Sequence, residues 1–132
     1  MKKNIHGVAV EFFDRLAVNQ VARNELNRKS KVIQFEIEGD KPFYLHIDSG
    51  KLTVSPGSSN RRDLVLRCDQ RTIFDILVGK VRPLDAYFQR EGYKLVVLGG
   101  EGIFGWVIRL LRIGAGELDF VPWIMEEIER SS

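Results

Sequence analysis

The sequence predicts an α+β domain: one five-stranded, mostly antiparallel sheet with helices packed on it. Three observations predict it. Between Lys31 and Cys68 apolar residues recur at every second position, the period of a half-buried strand. On either side of that stretch the spacing lengthens to three and four, as on an amphipathic helix. The 132 residues hold no internal repeat, low-complexity tract or linker. A chain of that size builds a single core, because a domain of roughly this length buries about two-thirds of the surface its unfolded chain exposes.

The elements follow in order. Val10, Phe13, Ala17 and Val21 share one helical face, with Glu11, Asp14, Arg15 and Arg23 among them, which predicts a helix over about 6–28, ended by the polar "NRKSK". "KVIQFEIEGD" then alternates, with Ile33, Phe35 and Ile37 against Gln34, Glu36 and Glu38. After a turn stiffened by Pro42, "FYLHID" puts Phe43, Leu45 and Ile47 on one side and Tyr44, His46 and Asp48 on the other. "DSG" is the next reversal, "KLTVSP" a third strand, "GSSNRR" a polar loop and "DLVLRC" a fourth strand. These four are expected to form an antiparallel meander.

Asp69 is placed to cap a helix carrying Ile73, Phe74, Leu77 and Val78, which stops at Gly79. Pro83 suits the first turn of a second helix, on which Leu84, Tyr87 and Phe88 stack, and Gly92 marks its exit. "YKLVVLGG", nearly continuous in apolar residues, predicts a fifth and more central strand. Next comes the greasiest segment, "GIFGWVIRLLRIG": Arg109, Arg112 and Gly105 share a narrow stripe, and apolar residues cover the rest. Gly114 and Gly116 are expected to break this helix and act as a hinge, and a C-terminal helix is expected over about 119–130.

Composition excludes several classes. Twenty Lys plus Arg against eighteen Asp plus Glu leave a net charge of +2, spread along the chain, which does not point to nucleic acid. No stretch approaches the apolar length of a bilayer span, and "MKKNIHGVAVEFF" has no signal-peptide core, so a soluble, cytoplasmic protein is expected. The single cysteine, Cys68, excludes an internal disulfide and a cysteine-based zinc site.

The order of these pieces resembles the sterol carrier protein 2 family, the SCP2 sterol-binding domain. "QFEIEGDKPFYLHIDSGKLTVSPG" is similar to its aromatic-rich hairpins, and "DLVLRCDQRTIFDILVGKVRPLDAYFQREGYKLVVLGG" to its strand, helix, Gly-Lys turn, second helix and glycine-ended strand. The resemblance runs from Val32 to about Ile113, within a single domain of residues 1–132. It implies an apolar tunnel between sheet and helices that takes up a fatty acyl chain, sterol, phospholipid or polyprenyl tail, and a protein that moves lipid without changing it, with no cofactor. The peroxisomal tripeptide of some eukaryotic relatives is not present at the final "RSS".

On that reading Phe74, Leu77, Phe88, Ile103, Trp106, Val107, Leu110 and Leu111 line the tunnel. From periodicity alone the same side chains read first as a packed core, and the resemblance is what favours the tunnel. Phe120, Trp123 and Ile124 form a candidate lid beyond the glycines, the alternative being a docked terminal helix. Lys80, Arg82, Arg109 and Arg112 are candidates for transient contact with an anionic membrane, at about 1 kcal/mol each, or simply keep a helix soluble. A second class of function is an accessory protein that uses the same surface to hold an enzyme or a homodimer mate, as some relatives do in isoprenoid quinone synthesis.

Catalytic and metal residues are expected to be none. His46 and Asp48 share a strand face without a third ligand, the serines lack a nucleophile-elbow context, and Cys68 reads as a small core residue. "GGEGIFG" lacks the Gly-Lys-Ser/Thr ending of a phosphate loop.

Overall fold

Period-two alternation from Ser30 onward produces strands β1 (Ser30–Ile37), β2 (Phe43–Asp48), β3 (Lys51–Pro56) and β4 (Leu64–Cys68), and a fifth, β5 (Leu95–Leu98), comes later. The computed structural model describes residues 5–27, 29–100 and 102–117. Helices α1 (Ile5–Ala17) and α2 (Gln20–Leu26) precede the sheet, α3 (Gln70–Leu77) and α4 (Pro83–Tyr87) separate β4 from β5, and α5 (Ile103–Glu117) follows.

The single N-terminal helix expected over 6–28 is two helices. Asn19 divides them: its extended backbone leaves the helical path, and its side chain accepts a hydrogen bond from the Ala22 amide at 3.0 Å, capping α2. The sheet has the order β3-β2-β1-β4-β5. β1 to β3 form the expected meander, and Ser49 and Gly50, both at positive φ, make the two-residue β2–β3 turn.

The fourth strand departs from the meander. β4 pairs in parallel with β1, Ile33 opposite Leu64 and Phe35 opposite Leu66, so residues 57–63 cross the sheet to reach it. Gln34 holds this crossing. Although fully buried, its side chain donates to the carbonyls of Phe43 (3.2 Å) and Gly57 (3.1 Å) and accepts from the Ser59 amide (2.9 Å). β5 is not central either. It pairs only with β4 and forms an edge where Val96 and Leu98 stand exposed.

One face of the sheet carries Ile33, Phe35, Phe43, Leu45, Leu64 and Leu66, all buried beneath the helices. At the β1–β2 end four phenylalanine rings fill the layer between sheet and helices. Phe35 and Phe43 stack at 4.8 Å, and Phe13 leans on both at 5.5 and 6.2 Å, with Phe12 edge-on to Phe13 at 5.1 Å.

The break expected at Gly114 is absent, since α5 continues to Glu117. Gly114 is buried, and a β-carbon there would run into the Phe12 ring. The glycine lets two helices approach closely and does not act as a hinge. α5 is also tied to α2, through the Trp106 indole N–H, which donates to the Glu25 carbonyl at 2.9 Å.

Candidate functional site

α3, α4 and α5 meet at one end of the helical layer, and local chemistry fixes each. Asp69 caps α3 by accepting from the Thr72 amide at 2.8 Å. That bond and the nearby Lys94 and Arg71 charges outweigh burial and hold the Asp69 carboxyl below its usual value. Gly79, at φ +80°, reverses the chain after α3, and the amides of Lys80 and Val81 both donate back to the Asp75 carbonyl, at 2.8 and 3.2 Å. Tyr93, just before β5, fastens α3 from below: its hydroxyl donates to Asp75 Oδ2 at 2.6 Å while the Arg71 guanidinium lies 4.1 Å over its ring. The same hydrogen bond raises the Tyr93 pKa above its ordinary value.

Pro83 opens α4, a helix of only five residues. Asp85 binds two guanidinium groups, Arg82 at 2.9 Å and Arg90 at 3.0 Å. Leu84, Tyr87 and Phe88 lie at i, i+3 and i+4 and so share a face. That face is only partly covered: the three are 46, 42 and 63% exposed. Tyr87 joins the patch to α5 through Phe104, ring to ring at 5.5 Å.

Two clefts open beside this patch. The first, ≈ 250 Å³, runs between α4 and α5, with Leu84, Phe88 and Ile108 as apolar walls and Arg90 on its rim. The second, ≈ 270 Å³, runs between α3 and α5 over Ile76, Val81, Leu111 and Ala115. Arg82, Pro83 and Arg112 line both, so the clefts adjoin. Apolar and charged side chains both line the clefts: Arg82, Asp85, Arg90 and Arg112 stand among the hydrocarbon groups. Arg82 already pairs with Asp85, whereas Arg112 has no ion pair among the described residues.

The structure distributes the expected lining residues unevenly. Leu77, Trp106, Val107, Leu110 and Leu111 are buried in one continuous core, and of these Leu111 floors a cleft. Phe74 and Ile103 are half-buried against that core. Phe88 stands at the mouth of a cleft and not inside the helix–sheet layer. Trp106 is held against α2, with the Lys29 ammonium 5.7 Å from its ring centre. Among the basic candidates, Arg82 and Arg112 line both clefts, and Lys80 is exposed in the turn between α3 and α4. Arg109 points elsewhere, towards Glu25 of α2 at 3.9 Å. Phe120, Trp123 and Ile124 lie outside the described residues. Sequence reasoning missed Ile76, Val81, Leu84, Ile108 and Ala115 of the linings, and Arg90. Ile108 was one apolar residue among many on its helix, and Arg90 joins the site only through Asp85.

A wider opening, ≈ 490 Å³, lies at the ends of β1 and β4 over Ile37, Pro42, Cys68 and Val96. Its rim is rich in carboxylates: Glu36, which Arg67 holds at 2.6 Å, then Glu38, Asp40 and Asp69. Burial first, then the Asp69 charge, pushes the Cys68 thiol up to about 12, so it is a poor nucleophile. His46 and Asp48 are exposed, and no group of three or more His, Cys, Asp or Glu among the described residues is placed to hold a metal ion. No described helix is long and apolar enough to cross a membrane.

The fold is α+β, a five-stranded mixed sheet under helices, with clefts opening between the helices. The chain belongs to the SCP-2 sterol transfer family, which matches residues 12–95. No curated protein matches it in sequence. Among solved structures it is similar to the sterol carrier protein domain 2 of Helicoverpa armigera, at 18% identity and TM-score 0.71, covering 90% of this chain and 98% of that one. It is also similar to palmitated SCP2L2 from Aedes aegypti, at 16% identity and TM-score 0.66, covering 83% and 95%. A third similar structure is a ubiquinone synthesis protein, UbiJ-SCP2, at 16% identity and TM-score 0.61, covering 83% and 94%. The resemblance read from the strands and helices of residues 32–113 is therefore borne out, as is the α+β fold.

Proposed function

We propose that this chain is a non-enzymatic lipid carrier that seats the hydrocarbon of a fatty acyl, sterol or polyprenyl ligand in the adjoining clefts between α3, α4 and α5. The single observation that carries the reading is a pair of adjoining clefts whose linings bring Ile76, Val81, Leu84, Ile108, Leu111 and Ala115 together beside Arg82 and Arg112. Each buried methylene contributes about 0.8 kcal/mol, so ten supply roughly 8 kcal/mol before the costs of association. A neutral hydrogen bond nets only about 1 kcal/mol. Burial of the chain therefore dominates affinity, and selectivity among head groups is modest.

The test is titration of the purified chain with the fluorescent acyl probe cis-parinaric acid, followed by competition with oleate and cholesterol. Saturable binding that oleate reverses is expected, weakened by Ile108→Glu and by Ala115→Phe, which charge one cleft and fill the other. Circular dichroism checks that both variants remain folded. Absence of saturable binding would overturn the reading.

A second reading, an accessory protein that holds an enzyme or a second copy, draws on one observation, the partly exposed Leu84, Tyr87 and Phe88. A dimer by light scattering that dissociates when Phe88 is replaced by serine supports it. A monomer that copurifies with lipid supports the first reading.

A further inference from the structure

We infer that the α4 corner is a docking surface for an anionic lipid bilayer, with Leu84, Tyr87 and Phe88 entering the interface and Arg82, Arg90 and Arg112 meeting the head groups. The inference rests on the carrier reading only for its purpose, since it places the cleft mouths against the membrane from which a lipid would enter.

Two observations argue for it together. The first is the partly exposed apolar face of α4, whose most exposed member is a phenylalanine. A short helix that points Phe and Leu outward amid arginines has the composition of an interfacial segment. The second is the sign of the charge around it. Arg82, Arg90 and Arg112 rim the first cleft, Lys80 is exposed beside it, and the one carboxylate in its lining, Asp85, is already shared by two of the arginines. That leaves a net positive ring around an apolar tip, complementary to a negative surface. The Arg stems add further apolar length near the interface while their heads stay at the phosphate level.

Area and symmetry discriminate against the other occupants. Aromatic side chains bury about 150–250 Å² each when fully covered. At their observed exposures the three residues offer on the order of 300 Å², well below the roughly 800 Å² per partner of a specific protein interface. A second copy docked about a two-fold axis would also bring this arginine ring onto itself. A bilayer needs neither a large matched footprint nor opposite charges fixed in place.

The experiment is co-sedimentation of the full chain with sucrose-loaded vesicles. One set is phosphatidylcholine alone, and the other equal parts phosphatidylcholine and phosphatidylglycerol. Binding to the anionic set is expected, with little to the neutral set and with loss as salt shortens the screening length. Phe88→Ser should lower the partition coefficient about tenfold. Arg112→Glu, which breaks no ion pair among the described residues, should lower it by at least fivefold, and Arg109→Glu, on the α2 side, should change it little. Equal partition into both vesicle sets overturns the inference, as does indifference to Phe88→Ser and Arg112→Glu. So does a Phe88-dependent dimer that leaves no binding to vesicles. Failure here is distinct from failure of the carrier reading: a chain that takes up cis-parinaric acid but ignores vesicles refutes the docking surface alone.

Discussion

Gly114 lies directly against the ring of Phe12, and no side chain fits between α5 and α1 at that point. A β-carbon at 114 would come within 2.7 and 2.8 Å of Phe12 Cε1 and Cε2, and nearer still to Cζ. Replacing glycine by alanine inside a helix normally gains about 1 kcal/mol. Overpacking a filled core costs about 1–3 kcal/mol and here exceeds that gain. Gly114→Ala should therefore lower stability by up to about 2 kcal/mol, read from urea unfolding. Adding Phe12→Leu should recover part of the loss, a coupling that a double-mutant cycle measures directly. An unchanged midpoint would mean that the two helices part easily.

Gly105 supplies the opposite case on the same helix. It is exposed, and nothing stands within 4 Å of where its β-carbon would be. Only the backbone term remains, so Gly105→Ala should stabilise the fold by up to about 1 kcal/mol and raise the melting temperature by a few degrees. Opposite signs for one substitution nine residues apart on one helix separate close packing from helix propensity.

Gln34 is the polar anchor of the parallel crossover. Gln34→Leu keeps the volume but leaves the Ser59 amide and the Gly57 and Phe43 carbonyls without their side-chain partner. An unmade hydrogen bond at a buried group costs about 1–3 kcal/mol, so a loss of about 2–3 kcal/mol is expected. Amide exchange at Ser59 should accelerate more than at Ile33 or Leu66, because the loop loosens before the strands do. Uniform acceleration across the sheet would show that Gln34 supports the whole core and not the crossing in particular.

These residues also show why some of the molecule was legible in the sequence and some was not. Asp69, Gly79 and Pro83 announced their elements because a cap, a left-handed stop and a first-turn proline act within a few residues of themselves. Pairing is different. Alternation in "DLVLRC" reads identically whether β4 joins its neighbour in sequence or crosses over to β1, and the decisive contact is a glutamine side chain far back in β1. "LVVL" looked central because apolarity records affinity for a sheet and not position in it, and β5 sits at the edge with two of its residues open. Gly114 reads as a breaker because a glycine that serves a distant ring cannot be told locally from one that ends a helix. The candidate site was half legible for the same reason. Arg82, Arg112 and Phe88 could be named, but the division of Arg109 from Arg112 depends on which neighbouring helix each one faces.

Cys68 sets the expected response to alkaline pH. An ordinary thiol, with a pKa of about 8.5, is roughly a quarter ionised at pH 8. With its thiol pushed up to about 12, the folded chain holds only about one thiolate in ten thousand at that pH. Ellman's reagent should therefore react with the native chain only through opening, on the order of a thousandfold more slowly than with the chain in urea. The sign for stability follows from linkage. Raised in the folded state, the Cys68 pKa contributes stability that is fully present below about pH 8.5 and lost progressively as pH climbs towards 12. Between pH 8 and 10 the loss assigned to this one group is about 2 kcal/mol. Cys68→Ala should remove that part of the slope, so the variant loses less stability over the interval than the parent chain. Parallel slopes for the two would mean that the thiol is as free to ionise in the folded protein as in the unfolded one.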